Sequence, residues 1–104
     1  MKIIFDENVP WPLQRFFSGH IVSSVQMEGW SGKENGTIIE LIDNRFDVFL
    51  PADKNLRYQQ NLKTRKIAMV ELPTNRWPIV QQMITRIVSA VENAHPGSYT
   101  ILEV

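Results

Sequence analysis

Five short apolar runs, set apart by stretches of helical character, leave this chain few folds to adopt. Lys2–Phe5, His20–Val25, Asp47–Leu50, Lys66–Leu72 and Tyr99–Val104 read as strands from their apolar and β-branched content. Val48-Phe49-Leu50 is apolar without interruption, the pattern of a strand buried on both faces. The intervening segments read as helices. Asn8 is placed to cap the first, with Pro10 and Pro12 confined to its first turn, Leu13, Phe16 and Phe17 facing inward, and Ser18-Gly19 ending it. A second is expected over Asn35–Arg45, with Ile38, Ile39, Leu41 and Ile42 as its stripe, and a third, polar, over Asn55–Leu62. The fourth is expected to be capped by Thr74 or Asn75, to hold Pro78 in its first turn and to run to Asn93, with Ile79, Val80, Met83, Ile84, Ile87, Val88 and Val91 at three- and four-residue steps. Strict alternation with short connections predicts a single α/β domain, a parallel β-sheet flanked by helices on both faces.

Composition narrows the chemistry. A chain of 104 residues fits one domain. With no cysteine, disulfides, thiolate metal sites and cysteine nucleophiles are excluded. No apolar run nears the ~20 residues of a membrane span, and the opening apolar run is too short for a signal peptide. A soluble, cytoplasmic protein without a membrane role is therefore expected. Net charge is zero, yet residues 1–44 carry three basic and six acidic side chains and residues 45–76 carry seven basic and three acidic. Such asymmetry suits a metal site beside a phosphate track, and equally a mixed, solvated surface.

The candidate chemistry lies at strand ends. In a parallel sheet all carboxyl ends share one edge, where open α/β sheets bind ligands. Asp6 follows the first strand and Asp53 the third. With those strands adjacent, as in the order 2-1-3-4-5, the ends stand about 5 Å apart. A hard cation, Mg²⁺ or Mn²⁺, would relieve the repulsion between two such carboxylates. Glu7, Glu34, Asn35 and Glu40 are candidates to complete the shell. The same acids also suit helix N-termini through the helix dipole alone, and Asn35 suits a helix cap. Lys54 and Arg57 are candidate phosphate contacts or a solvated helix face, and Asn8 and Asn55 are candidate nucleic-acid contacts beside the two aspartates. Trp30, between Gly29 and Gly32, could stack a base or pack over the sheet edge. Trp11 and Trp77 read as packing or interface residues. His20 and His95 have no serine or acid at catalytic spacing.

Three blocks carry a resemblance: Phe5-Asp6-Glu7-Asn8-Val9-Pro10, the loop Gly29 to Gly36, and Phe46 to Leu56 with its Pro51-Ala52-Asp53-Lys54-Asn55-Leu56 ending, extended by Tyr58-Gln59-Gln60-Asn61-Leu62. In these the chain resembles the PIN-like proteins of the DUF5615 class, a compact branch of the PIN fold. The resemblance implies a parallel sheet with an acidic metal site, Mg- or Mn-dependent ribonuclease activity, and, as in many small bacterial relatives, a toxin held inactive by a small antitoxin protein, with homodimers common. Carried over by position, Asp6 and Asp53 would be the main metal-binding acids, with Glu7 in the same opening motif. Asn35 stands where many relatives have aspartate, and Pro51 where many have threonine. These departures motivate an alternative, a nucleic-acid- or protein-binding module that keeps the fold without the chemistry. A flavodoxin-like phosphoryl receiver is a third option, weakened because Glu71-Leu72-Pro73 ends the fourth strand with no lysine.

Overall fold

The computed structural model describes residues 1–52 and 65–104. The apolar runs form β1 (Lys2–Phe5), β2 (Ile21–Ser24), β3 (Val48–Leu50), β4 (Ala68–Glu71) and β5 (Tyr99–Ile101). They pair in one all-parallel sheet in the order β2-β1-β3-β4-β5. This is the predicted α/β fold, with β1 beside β3. Side chains alternate between two apolar layers. Ile3, Phe5, Val48, Leu50, Ala68 and Val70 enter one layer, and Ile4, Phe49 and Met69 the other.

The helices differ from expectation in instructive ways. The β1–β2 connection holds a 3-10 helix over Trp11–Phe16. It begins three residues past Asn8 and has no side-chain cap, so Asn8 does not cap it. Leu13 and Phe17 are buried as expected, whereas Phe16 is 44% exposed: a tighter helix of three residues per turn turns it out of the apolar face. Helix α1 covers Asn35–Ile42 and stops short of Arg45. Asp43 leaves it to accept the backbone N–H groups of Lys66 and Ile67 through Oδ1 at 2.8 and 3.0 Å. The expected third helix, Asn55–Leu62, lies outside the described residues.

The expected fourth helix is two, α2 (Trp77–Gln82) and α3 (Ile84–Glu92), meeting at Met83 with φ −107° and ψ 3°. Met83 N–H bonds to Val80 O at 2.9 Å, and its carbonyl accepts from Ile87 N–H at 2.9 Å. The tightened turn keeps Val80, Met83, Ile87 and Val91 on the sheet. Arg76 rather than Thr74 or Asn75 is the first helix boundary residue, while Thr74 Oγ1 accepts the Arg76 N–H at 3.1 Å.

The crossovers divide unevenly between the faces. Leu13 and Phe17 of the β1–β2 connection share a layer with α2 and α3, and α1 lies on the other side. The steps from β2 to β3 and from β4 to β5 run in the same direction across the sheet. They pass over opposite faces and so have opposite hands. Parallel crossovers are overwhelmingly right-handed, and β1–β2 and β2–β3 share one hand. Among the described crossovers, the β4–α2–α3–β5 unit has the other hand.

That unit closes on Gly97, whose φ is +78° and whose N–H bonds to Lys66 O at 3.0 Å. A Cβ there would lie 3.3 Å from the Arg65 carbonyl. Gly97→Ala should therefore cost about 1–2 kcal/mol, combining left-handed strain with a tight contact. Urea unfolding measures it, and an unchanged midpoint would contradict the geometry.

Candidate functional site

The backbone fixes Asp6 before its side chain does anything. Its N–H bonds to Leu50 O at 3.0 Å, extending the β1–β3 ladder by one residue. Its carbonyl then accepts Val9 N–H at 3.1 Å, closing a turn over Asp6–Val9. Its Oδ1 accepts the Glu7 N–H at 2.9 Å, a local bond that aspartate makes readily in turns. The half-buried Asp6 carboxylate thus stands at the carboxyl end of a central strand, and Glu7 and Asn8 are exposed beside it. Glu7 Oε1 accepts the Gly32 N–H at 3.3 Å, tying the loop after β1 to the loop after β2.

Register places a second acid at this edge. Phe5 pairs with Leu50, Phe49 with Met69, Ala52 with Leu72, and Glu71 with Ile101. Continuing the rows by one residue sets Asp6, Pro51 and Glu71 side by side. Alternation puts Asp6 on the face of Ile4, and Glu71 on the face of Met69, which is the same face. Two strand spacings separate their backbones, about 10 Å. Glu71 is 2% exposed, and its Oε1 accepts the Tyr99 hydroxyl at 2.5 Å. The sequence reading missed it as a site acid because it sits inside an apolar run. The two-residue step from Met69 was the available signal. Pro51, the departure from the resembled pattern, occupies the position between the two acids.

The other candidates scatter. Asp53, Lys54, Asn55 and Arg57 lie outside the described residues, as does the side chain of Asn35, whose backbone opens α1. Glu40 is not brought to Asp6: it is exposed and sits 3.7 Å from Arg65, which precedes β4 at the opposite edge of the sheet. Glu34 is the extended residue before α1 and makes no capping bond. His20 Nε2 meets Glu92 Oε2 at 3.0 Å, joining the start of β2 to the end of α3 rather than building a catalytic pair. Trp30 is 8% exposed, edge-on to Phe46 at 6.5 Å with the Arg45 guanidinium 5.9 Å from its ring centroid. Packing, the second of its two readings, is what the structure gives. Lys33 and Arg76, which motif reasoning passed over, are exposed in the loops after β2 and β4 at the same edge as Asp6.

A cavity of about 910 Å³ lies elsewhere, at the amino-terminal edge, lined by Lys2, Asp43, Arg45, Asp47 and Lys66 among others. Two of its acids serve the backbone: Asp47 Oδ2 accepts the Lys2 N–H at 2.7 Å, and Asp43 holds Lys66 and Ile67; Glu28 there accepts the Ser23 hydroxyl at 2.6 Å. It is separate from the carboxyl-edge acids, and ligand sites of open parallel sheets lie at the carboxyl edge.

Oxygen donors without sulfur or imidazole suit a hard divalent cation. Among the described residues no three acids or histidines converge as a metal group, and none of the helices described there is long and apolar enough to cross a membrane. No family model matches the chain, and no match was found among curated proteins or solved structures.

Proposed function

We propose that this protein is a PIN-like, Mg²⁺- or Mn²⁺-dependent ribonuclease whose metal is held by Asp6 and Asp53. The observation that carries it is the fixed Asp6 carboxylate at the end of β1, hydrogen-bonded through its backbone to the strand that leads to Asp53. Strand order supports it, because β1 and β3 are neighbours, Asp6 follows the carboxyl end of β1, and the chain leaving β3 leads in sequence to Asp53. Glu7 stands beside Asp6 and braces the β2 loop. Glu71 adds negative potential from the same face. Lys33 and Arg76, with Lys54 and Arg57, supply positive charge for a phosphate backbone. A divalent ion bound there would supply activation of water and stabilisation of the leaving oxygen. By the resemblance alone, the reading extends to a cytoplasmic toxin restrained by a small antitoxin, active as a homodimer.

A second reading is favoured by two residues. Pro51 fills the row position between Asp6 and Glu71, with neither a hydroxyl nor a backbone donor, and Asn35 brings no charge. A binding module that keeps RNA affinity without cleavage fits those two residues. Incubating single-stranded RNA with the protein in Mn²⁺ separates the readings. Cleavage that stops on chelation supports the nuclease. Binding without cleavage at any metal concentration would transfer the protein to the second class.

A further inference from the structure

We infer that Trp11 is a stacking platform for a base of single-stranded RNA at the carboxyl edge. The inference rests on the ribonuclease reading and assigns that site a base-contacting residue. Of the three tryptophans, Trp30 is buried, with Arg45 over its ring, and Trp77 is packed against the apolar layer under α2. Trp11 alone among them is 39% exposed. It opens the 3-10 helix, two residues after the turn that holds Asp6. Its ring is 5.9 Å from that of Phe5, at 70°, and Phe5 is the residue immediately before Asp6. An edge-on contact anchors the indole without covering both its faces. Phe5 is itself fully buried, so the anchor is part of the core and the platform has a fixed position relative to Asp6.

The chemistry selects the ligand. A nucleobase presents a flat π-face to an indole whatever its sequence, and aromatic stacking beside cationic groups is the usual way to hold single strands. Here the exposed Lys33 and Arg76 share the edge with Trp11. A duplex keeps its bases stacked on one another and offers such a platform little. The substrate implied is thus an unpaired segment, with one base on Trp11 and the phosphate chain passing Asp6.

The test is equilibrium binding of a fluorescent oligouridine in EDTA, so that cleavage does not intrude, with an abasic ribose-phosphate chain of equal length as the second probe. Trp11→Leu keeps the apolar contact with Phe5 but has no flat face. It should bind oligouridine about 10-fold more weakly than the native chain, bind the abasic chain equally, and leave Phe16→Ala, an exposed aromatic at the far end of the same helix, as a neutral control. Trp11→Phe should recover most of the affinity. Equal binding by native and Trp11→Leu chains, or equal loss on both probes, overturns the platform while leaving the ribonuclease reading intact. If the native chain neither binds oligouridine nor cleaves it with Mn²⁺, both fall together. Should Trp11→Leu fail to fold, indole quenching by oligouridine decides the matter: it should largely vanish in Trp11→Phe, and its persistence there would refute the assignment.

Discussion

Asp6→Asn is expected to lower Mn²⁺-dependent RNA cleavage by about 100-fold or more while leaving the fold intact. The substitution separates structure from charge. An asparagine Oδ1 can still accept the Glu7 N–H that Asp6 accepts at 2.9 Å, and the backbone bonds to Leu50 and from Val9 are untouched. A cooperative melt should therefore be retained, which circular dichroism checks. What disappears is one of two carboxylates assigned to the metal. Losing a charged ligand raises the barrier by several kcal/mol where the cation carries the catalysis, and each 1.36 kcal/mol is tenfold in rate. Asp53→Asn should fall as far, and the double change little further, since residues acting on one ion are not additive. Cleavage that survives Asp6→Asn would place any nuclease signal at another site or in a contaminant.

How far the sequence disclosed this arrangement depends on what each signal measures. Apolar runs locate buried strands because burial is a property of the run itself, so all five strands appeared, with the first exact and the ends of the others overrun by at most three residues. Helix geometry is less local. Nothing in the spacing of Ile79 to Val91 distinguishes one helix from two, because the tightened turn at Met83 preserves the same inward residues. The 3-10 form over Trp11–Phe16 is likewise invisible in the spacing of Leu13, Phe16 and Phe17, which reads as an ordinary helical stripe.

The site divides in the same way. Asp6 was legible because it ends a strand and begins a turn. Glu71 was hidden among apolar neighbours, and its relation to Asp6 is a matter of register across two strands. Glu40 looked available by position on the helix, but α1 carries it away from the carboxyl edge towards Arg65. Trp30 was open to stacking or packing, and the loop folds back so that it packs on Phe46, while Trp11, read as a packing or interface residue, is 39% exposed with its ring against Phe5. Topology bears on the receiver alternative as well. The strand order is the doubly wound 2-1-3-4-5, but the last crossover has the opposite hand to the first two, which separates this fold from a uniformly right-handed one.

Phe5→Ala should be severely destabilising, at about 3–5 kcal/mol. Phe5 is fully buried and is met edge-on by two aromatic rings, Trp11 at 5.9 Å and Phe17 at 6.0 Å. Truncation removes both contacts and leaves a hole between a central strand and the 3-10 helix. Neither wall can easily close it, since β1 is paired on both sides, with β2 and β3. Domains of this size are held by roughly 5–15 kcal/mol in total, so the loss is a large share, and the melting temperature should drop by roughly 15 °C or more. Phe16→Ala, on the same 3-10 helix but 44% exposed, should cost under about 1 kcal/mol. The comparison matters because Phe5 is also the residue that positions Asp6 along the strand and anchors Trp11. If Phe5→Ala unfolds no more easily than Phe16→Ala in urea, the aromatic cluster is not the rigid base that both the acid and the indole require.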